Sequence, residues 1–141
     1  MQEYSTTFMI NKPAEEVFKA ISHELSHWWG KQSQPIEANG TLFTVSWGAP
    51  WYKFKVIEYQ PDRLLVWECI DANQIIDGLE GVAKEWVGSK IHWQLYDTGG
   101  NTTALHFRHE GLTPSLLCFD FCSSTWNHFL NDSLVTYLMA K

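Results

Sequence analysis

A 141-residue chain with a formal charge of −6 and a pI near 5.4 is ill suited to nucleic acid or an anionic membrane as its main partner. No apolar run approaches the roughly 18 residues of a membrane-spanning helix, and the start MQEYSTTFMI lacks the basic and greasy stretches of a secretion signal. Three cysteines without a CxxC pair fit reduced thiols in a cytoplasm better than a disulfide framework, and the length predicts one domain over residues 1–141.

In chain order, residues 4–11 (YSTTFMIN) alternate loosely and predict a strand, stopped by Lys12-Pro13. Ala14, Val17, Phe18 and Ile21 then recur at helical spacing with Glu15, Glu16 and Lys19 outward, which predicts a short amphipathic helix. Residues 23–29 (HELSHWW) predict a second short helical piece closed by Gly30, followed by a polar loop over 31–35 and a turn at Asn39-Gly40. Strands follow over 41–47, with Phe43, Val45 and Trp47 on one side, and over 52–59, with Phe54 and Val56 opposite Lys53 and Lys55. Residues 63–70 (RLLVWECI) make a nearly continuous apolar strand, and 71–83 carry no clear pattern. Residues 84–97 are too long for a flat strand, and Gly88 is the expected bend or bulge. The turn at 98–101 leads to a last strand over 102–109.

The end of the chain, 113–141, has no glycine, and no proline after Pro114. Thr113 is placed to cap a helix with Pro114 in its first turn. Phe119, Cys122, Trp126, Phe129, Leu130, Leu134, Tyr137 and Leu138 recur in steps of three and four and share one face. Leu116, Leu117 and Phe121 make the beginning greasy on more than one side, as a separate turn would be. A long helix with an aromatic face must lie on something, and most of what precedes it reads as strand. The expectation is α+β: a curved antiparallel sheet wrapped around a long C-terminal helix, with two short helices after the first strand.

Several strings in this order resemble the START-like (SRPBCC, helix-grip) superfamily, and within it the group similar to the activator of the heat-shock-protein-90 ATPase. They are INKPAEEVFKAIS at 10–22, WWG at 28–30, KVIEYQPDRLLVWE at 55–68, EWVGSKIHWQL at 85–95, GGNTTALHFRHEGL at 99–112 and the tryptophan-anchored helix at 126–138. The resemblance implies a sheet gripping the C-terminal helix with a deep cavity between them. Relatives include lipid carriers, hormone receptors and polyketide aromatases or cyclases, and a fold shared so widely does not select among these activities. A chaperone partner is implied only by the family's activators, whose separate chaperone-binding domain has no counterpart in this sequence.

The aromatic content of 15%, with eight tryptophans, gives that cavity its expected walls. They are Trp28, Phe43, Val45, Trp47, Phe54, Val56, Trp67, Trp86, Trp93, Leu105, Phe107, His109, Phe119, Cys122, Trp126 and Phe129. A dry void of about 300 Å³ at about 24 cal/mol per Å³ would cost about 7 kcal/mol. The space must therefore hold water or a ligand, or be filled by side chains.

Three motifs bear on chemistry. His23-Glu24-Leu25-Ser26-His27 satisfies HExxH, a zinc-protease signature. Its third-ligand position falls on Ser33, and only 22 residues precede it, so two exposed histidines on a short surface helix is the better reading. His106 and His109 lie three apart on a strand and face opposite ways; His109 shares the inward face of Leu105 and Phe107 and reads first as a hydrogen-bonded strand end, and it is the candidate general base if the cavity holds one. Cys122 reads as a small apolar filler. No metal or cofactor is called for. The leading expectation is a cytoplasmic protein, a monomer or weak dimer, that binds an apolar or aromatic small molecule of lipid, polyketide or flavonoid type. The alternatives are an aromatase- or cyclase-like enzyme and a chaperone-associated partner module.

Overall fold

The computed structural model describes residues 2–141. Its strands are β1 (Tyr4–Ile10), β2 (Lys31–Gln32), β3 (Leu42–Ser46), β4 (Trp51–Gln60), β5 (Leu64–Asn73), β6 (Lys90–Gly99) and β7 (Thr102–Glu110). They form one antiparallel sheet in the order β1-β7-β6-β5-β4-β3-β2, curled into a half-barrel. Helix α1 (Ala14–Ser22) and a 3-10 turn (Leu25–His27) follow β1. A 21-residue C-terminal helix closes the chain, which makes this the helix-grip fold.

Alternation sets the sheet's faces. Phe43 and Val45 on β3, Phe54 and Val56 on β4, Leu65 and Trp67 on β5, Ile91 and Trp93 on β6, and Leu105 and Phe107 on β7 all point to the concave side and are buried. Two register shifts between β4 and β5 are bulges, one at Ile70 on β5 and one at Ile57 on β4, and bulges bend a strand and raise its twist. That bending turns a flat meander into a trough.

Helix α2 (Phe119–Asn127) passes into a π-helical stretch (His128–Leu134) and then α3 (Val135–Met139). The wide turn has a cause in the sequence. Cys122, Trp126, Leu130, Leu134 and Leu138 are spaced by four throughout, and all are buried. In an α-helix each step of four overshoots a full turn by about 40°, so such a stripe would wind off the sheet within a few turns. A stretch with i→i+5 bonding takes up the extra residues and keeps the stripe facing the core. Phe119, Phe129 and Tyr137, the other members of the expected face, are half-buried at its margins.

Four local expectations are corrected. The C-terminal helix starts at Phe119, not at Pro114. Thr113 Oγ1 pairs with Ser115 Oγ, and the N–H groups of Leu117 and Cys118 donate to the Glu85 carboxylate at 2.8 and 2.9 Å. The acceptor at this helix start thus comes from a residue distant in sequence. Residues 31–35 are not all loop, since Lys31 and Gln32 pair with β3. Gly88, at φ 90°, lies in the turn before β6 rather than in a bulge within it. Of 23–29, only Leu25–His27 is helical.

Gly30 shows how close the packing is. A Cβ there would stand 2.5 Å from Trp47 Cε2 and 2.8 Å from Val45 Cγ1, because the Trp47 ring lies against this backbone with its N–H on the Trp29 carbonyl. Gly30→Ala is expected to cost about 1–3 kcal/mol, the usual scale of overpacking. Urea denaturation measures it, and an unchanged midpoint would show that the ring is not fixed there.

Candidate functional site

The concave face and the helix do not enclose one large void. Phe107 lies 4.5 Å from Trp126, Trp93 4.8 Å from Phe107, Phe43 5.0 Å from Trp67 and Trp29 5.1 Å from Trp126, as ring-centroid distances. Such contacts fill the trough with interlocked rings.

A pocket of about 260 Å³ opens between the sheet and the C-terminal helix. One side is Trp29, Trp47, Pro50 and Tyr52, and a second is Gln74, Ile75 and Ile76 after β5. Trp86 forms the back, and Phe121, Cys122, Thr125, Trp126 and Phe129 come from the C-terminal helix. At the mouth, Ile75 and Phe121 are 53% and 49% exposed.

The structure brings Trp47, Trp86, Cys122, Trp126 and Phe129 of the expected wall together here. Phe43, Val45, Phe54, Val56, Trp67, Trp93, Leu105 and Phe107 face inward but are packed in the core and do not line the pocket, which corrects their placement. Trp28 is also withdrawn, its indole N–H bonded to the Ala20 carbonyl at 2.8 Å, and its neighbour Trp29 takes the wall position. Phe119 packs half-buried against the core, away from the pocket. Alternation tells which residues face in; it does not tell which of them meet other rings. Missed residues include Tyr52 and Thr125, which carry no motif, and Phe121, whose off-face greasiness was a usable signal.

His109 is fully buried and stands behind the wall. The Trp126 indole can only donate, and it does so to His109 Nδ1 at 3.1 Å. The proton of the neutral ring therefore sits on Nε2, which donates to Ser89 Oγ at 2.9 Å, and that hydroxyl donates to the Trp86 carbonyl at 2.6 Å. Both nitrogens are occupied, and Trp86 packs edge-to-face against the ring. Burial, with a smaller contribution from the charge of His92, lowers the His109 pKa from 6.5 to about 3, so the ring is neutral at neutral pH.

The titratable groups on the wall are Tyr52 and Cys122. Burial holds the Tyr52 hydroxyl far above its ordinary pKa, and it donates to Gln74 Oε1 at 2.6 Å while its ring stacks on Trp86. The neighbouring Cys118 and burial raise the Cys122 thiol, so it stays protonated. It donates to Gln74 Oε1 and accepts from Trp86 Nε1, both at 3.4 Å. Gln74 Nε2 donates to the Val82 carbonyl, Thr125 Oγ1 to the Cys122 carbonyl and Trp47 Nε1 to the Trp29 carbonyl. Trp126 is committed to His109, and the donors of Tyr52, Cys122, Thr125, Trp47 and Trp86 and one N–H of Gln74 are likewise spent inside the protein.

His23 and His27 of the HExxH string are exposed and engage different partners. His23 pairs with Ser22 Oγ and lies near Glu37, while His27 stacks on Tyr137 at 5.2 Å. Among the described residues no three His, Cys, Asp or Glu side chains converge on a possible metal position, and no helix is long and apolar enough to cross a membrane.

Similar folds occur in DynU16 of the dynemicin biosynthetic locus, at 17% identity and TM-score 0.74. That alignment covers 96% of this chain and 46% of DynU16, so this chain spans less than half of that protein. The Aha1 dimer of Colwellia psychrerythraea matches at 19% identity and TM-score 0.73, over 93% of this chain and 92% of that one. PFC0360w, an HSP90 activator from Plasmodium falciparum, matches at 16% identity and TM-score 0.71, over 97% and 96%. At these identities they establish the fold alone. No curated protein sequence matches. The model of the family described as "Activator of Hsp90 ATPase homolog 1-like protein" matches residues 11–139, nearly the whole chain, and on that match the chain belongs to this family.

Proposed function

We propose that this protein binds a small apolar or aromatic molecule in the pocket between the sheet and the C-terminal helix. The observation that carries this reading is the wall itself: Trp29, Trp47, Tyr52, Trp86 and Trp126 surround a space that opens to solvent between Ile75 and Phe121. Trp29, Trp86 and Trp126 are already almost withdrawn from water, so the apolar surface that a ligand would cover comes mainly from Trp47, Tyr52, Ile75 and Phe121, and covering it is favourable. At about 260 Å³ the pocket lies just below the usual range of roughly 300–1,000 Å³. A compact ligand of two or three rings suits it better than a long lipid.

Binding is favoured over catalysis of the cyclase kind because Tyr52 and Cys122 both hold their protons at neutral pH, and His109 lies behind the wall with both nitrogens engaged. Family membership keeps a chaperone-type partner as the rival outcome. Titration with flavone, an uncharged planar probe, is expected to quench tryptophan fluorescence saturably and raise the melting temperature. Thr125→Trp, which fills the pocket from the helix side, is expected to abolish both responses while the variant still melts cooperatively. Absence of any response in the wild type, or an unaltered response in the variant, removes the reading.

A further inference from the structure

The apolar wall keeps one recognition group in reserve. We propose that Trp29 is the specificity-determining residue of the pocket: its indole N–H takes a carbonyl oxygen of the ligand, so that the pocket prefers a neutral aromatic ketone to the matching hydrocarbon and to charged analogues. This rests on the binding reading above and specifies the chemical class of its ligand.

Four indoles line the pocket, and three of them give their N–H to the protein. Trp47 donates to the Trp29 carbonyl, Trp86 to Cys122 Sγ and Trp126 to His109 Nδ1. The Trp29 N–H alone has no acceptor among the described residues. It also differs from the N–H groups of Trp67 and Trp93, which have no partner but are sealed inside the core. Trp29 is only 6% exposed, yet its N–H is not among the sealed ones, and the residue opens on the pocket. Its ring stacks on Trp126 at 5.1 Å and on Trp67 at 5.9 Å, so it meets the pocket with its edge, where an indole carries its N–H.

An indole N–H can only donate. A hydrocarbon seated against it would keep water away and leave the donor unmet, and an unmet buried donor costs more than a made hydrogen bond gains. A carbonyl oxygen at the same place satisfies it. The wall's hydroxyls make no such demand, because those of Tyr52 and Thr125 already have partners in Gln74 Oε1 and the Cys122 carbonyl. Charge of either sign is disfavoured. Among the described residues no Lys, Arg, His, Asp or Glu lines the pocket, so an ion entering it would lose its hydration without a counter-charge. The rings offer a cation little either: Tyr52 stacks on Trp86 at 4.0 Å, and Trp86 and Trp29 each stack on Trp126, which covers ring faces with other rings.

The test uses three ligands on one frame at pH 7, with equilibrium dialysis as the readout: 2-acetylnaphthalene, 2-ethylnaphthalene and 2-naphthoate. The hydrocarbon is more apolar than the ketone, yet the ketone is expected to bind the wild type at least as tightly, and the carboxylate at least about tenfold more weakly than the ketone. Trp29→Phe, which keeps a ring and removes the N–H, is expected to lower the ketone-to-hydrocarbon affinity ratio at least about threefold, the scale of one hydrogen bond. Trp47→Phe removes an N–H already committed to the protein and is expected to lower that ratio by less. Should Trp29→Phe not fold, the wild type supplies its own readout by NMR. Its Trp29 indole proton is expected to move downfield with the ketone relative to the hydrocarbon, while those of Trp86 and Trp126 shift alike with both. The assignment is overturned by a hydrocarbon that binds more tightly than the ketone, a carboxylate within tenfold of it, or a ratio that falls less than threefold in Trp29→Phe. A ratio that falls as far in Trp47→Phe, or a Trp29 resonance that responds alike to both ligands, overturns it too. Each of these leaves the apolar binding reading standing, whereas failure of all three ligands to bind the wild type overturns both.

Discussion

Trp126→Ala is expected to remove a large part of the protein's stability. Truncating a buried tryptophan costs roughly 3–5 kcal/mol in lost burial and residual cavity. Here the ring also stacks near Trp29 and Trp86 and packs on Phe107, and its N–H is the partner of His109 Nδ1. Leaving a buried acceptor unsatisfied adds about 1–3 kcal/mol. Small domains hold only about 5–15 kcal/mol in total, so the variant is expected to unfold at much lower urea or to populate no native state. Two milder substitutions separate the contributions. Trp126→Phe keeps most of the apolar contact but orphans His109. Trp67→Phe makes the same change at an indole whose N–H has no hydrogen-bond partner among the described residues. Trp126→Phe is therefore expected to cost the more by about 1 kcal/mol or more, and equal costs would show that the His109 bond contributes nothing.

Acid should destabilise the protein before its carboxylates titrate. The folded state keeps His109 neutral down to about pH 3, whereas the unfolded chain protonates it near 6.5. As pH falls below 6.5 the unfolded state binds a proton that the folded state refuses. The native advantage then falls by as much as about 1.4 kcal/mol per pH unit until the folded pKa is reached. Glu24, Asp71 and Glu110 have pKa values lowered in the fold, and the stability they contribute is lost only at lower pH, below their ordinary 4.5, 3.8 and 4.5. The interval between about pH 6.5 and 4.5 therefore separates His109 from these carboxylates. His109→Gln retains a donor and an acceptor but has no titrating group. Its stability, followed by urea denaturation at each pH, is expected to be flatter than the wild type's across that interval. Parallel profiles would mean that His109 is accessible to protons in the folded state.

The two expectations meet at one constellation, and only half of it was legible beforehand. That His109 faces inward with Leu105 and Phe107 follows from strand alternation, because the two-residue period is fixed by the pleated backbone itself. That its two nitrogens would find Trp126 and Ser89 does not follow, since those partners lie 17 and 20 residues away and meet it only once the helix is seated in the sheet. The four-residue stripe from Cys122 to Leu138 was likewise visible as a face, while the π-helical stretch that keeps it aligned is a response to the surface it packs on.

The sequence by itself determined the strand faces, the amphipathic α1, the C-terminal rod and the family. Each of these is written either in a local period that covalent geometry imposes or in strings that run through the whole chain. Tertiary structure alone decided which inward rings became core and which became wall, why Trp29 rather than Trp28 reached the pocket, and that Glu85 would meet the N–H groups at the start of α2. The physical reason is that a pocket is the volume left over when rings from several elements have packed. Its position depends on the sizes of distant neighbours, and no local period encodes that.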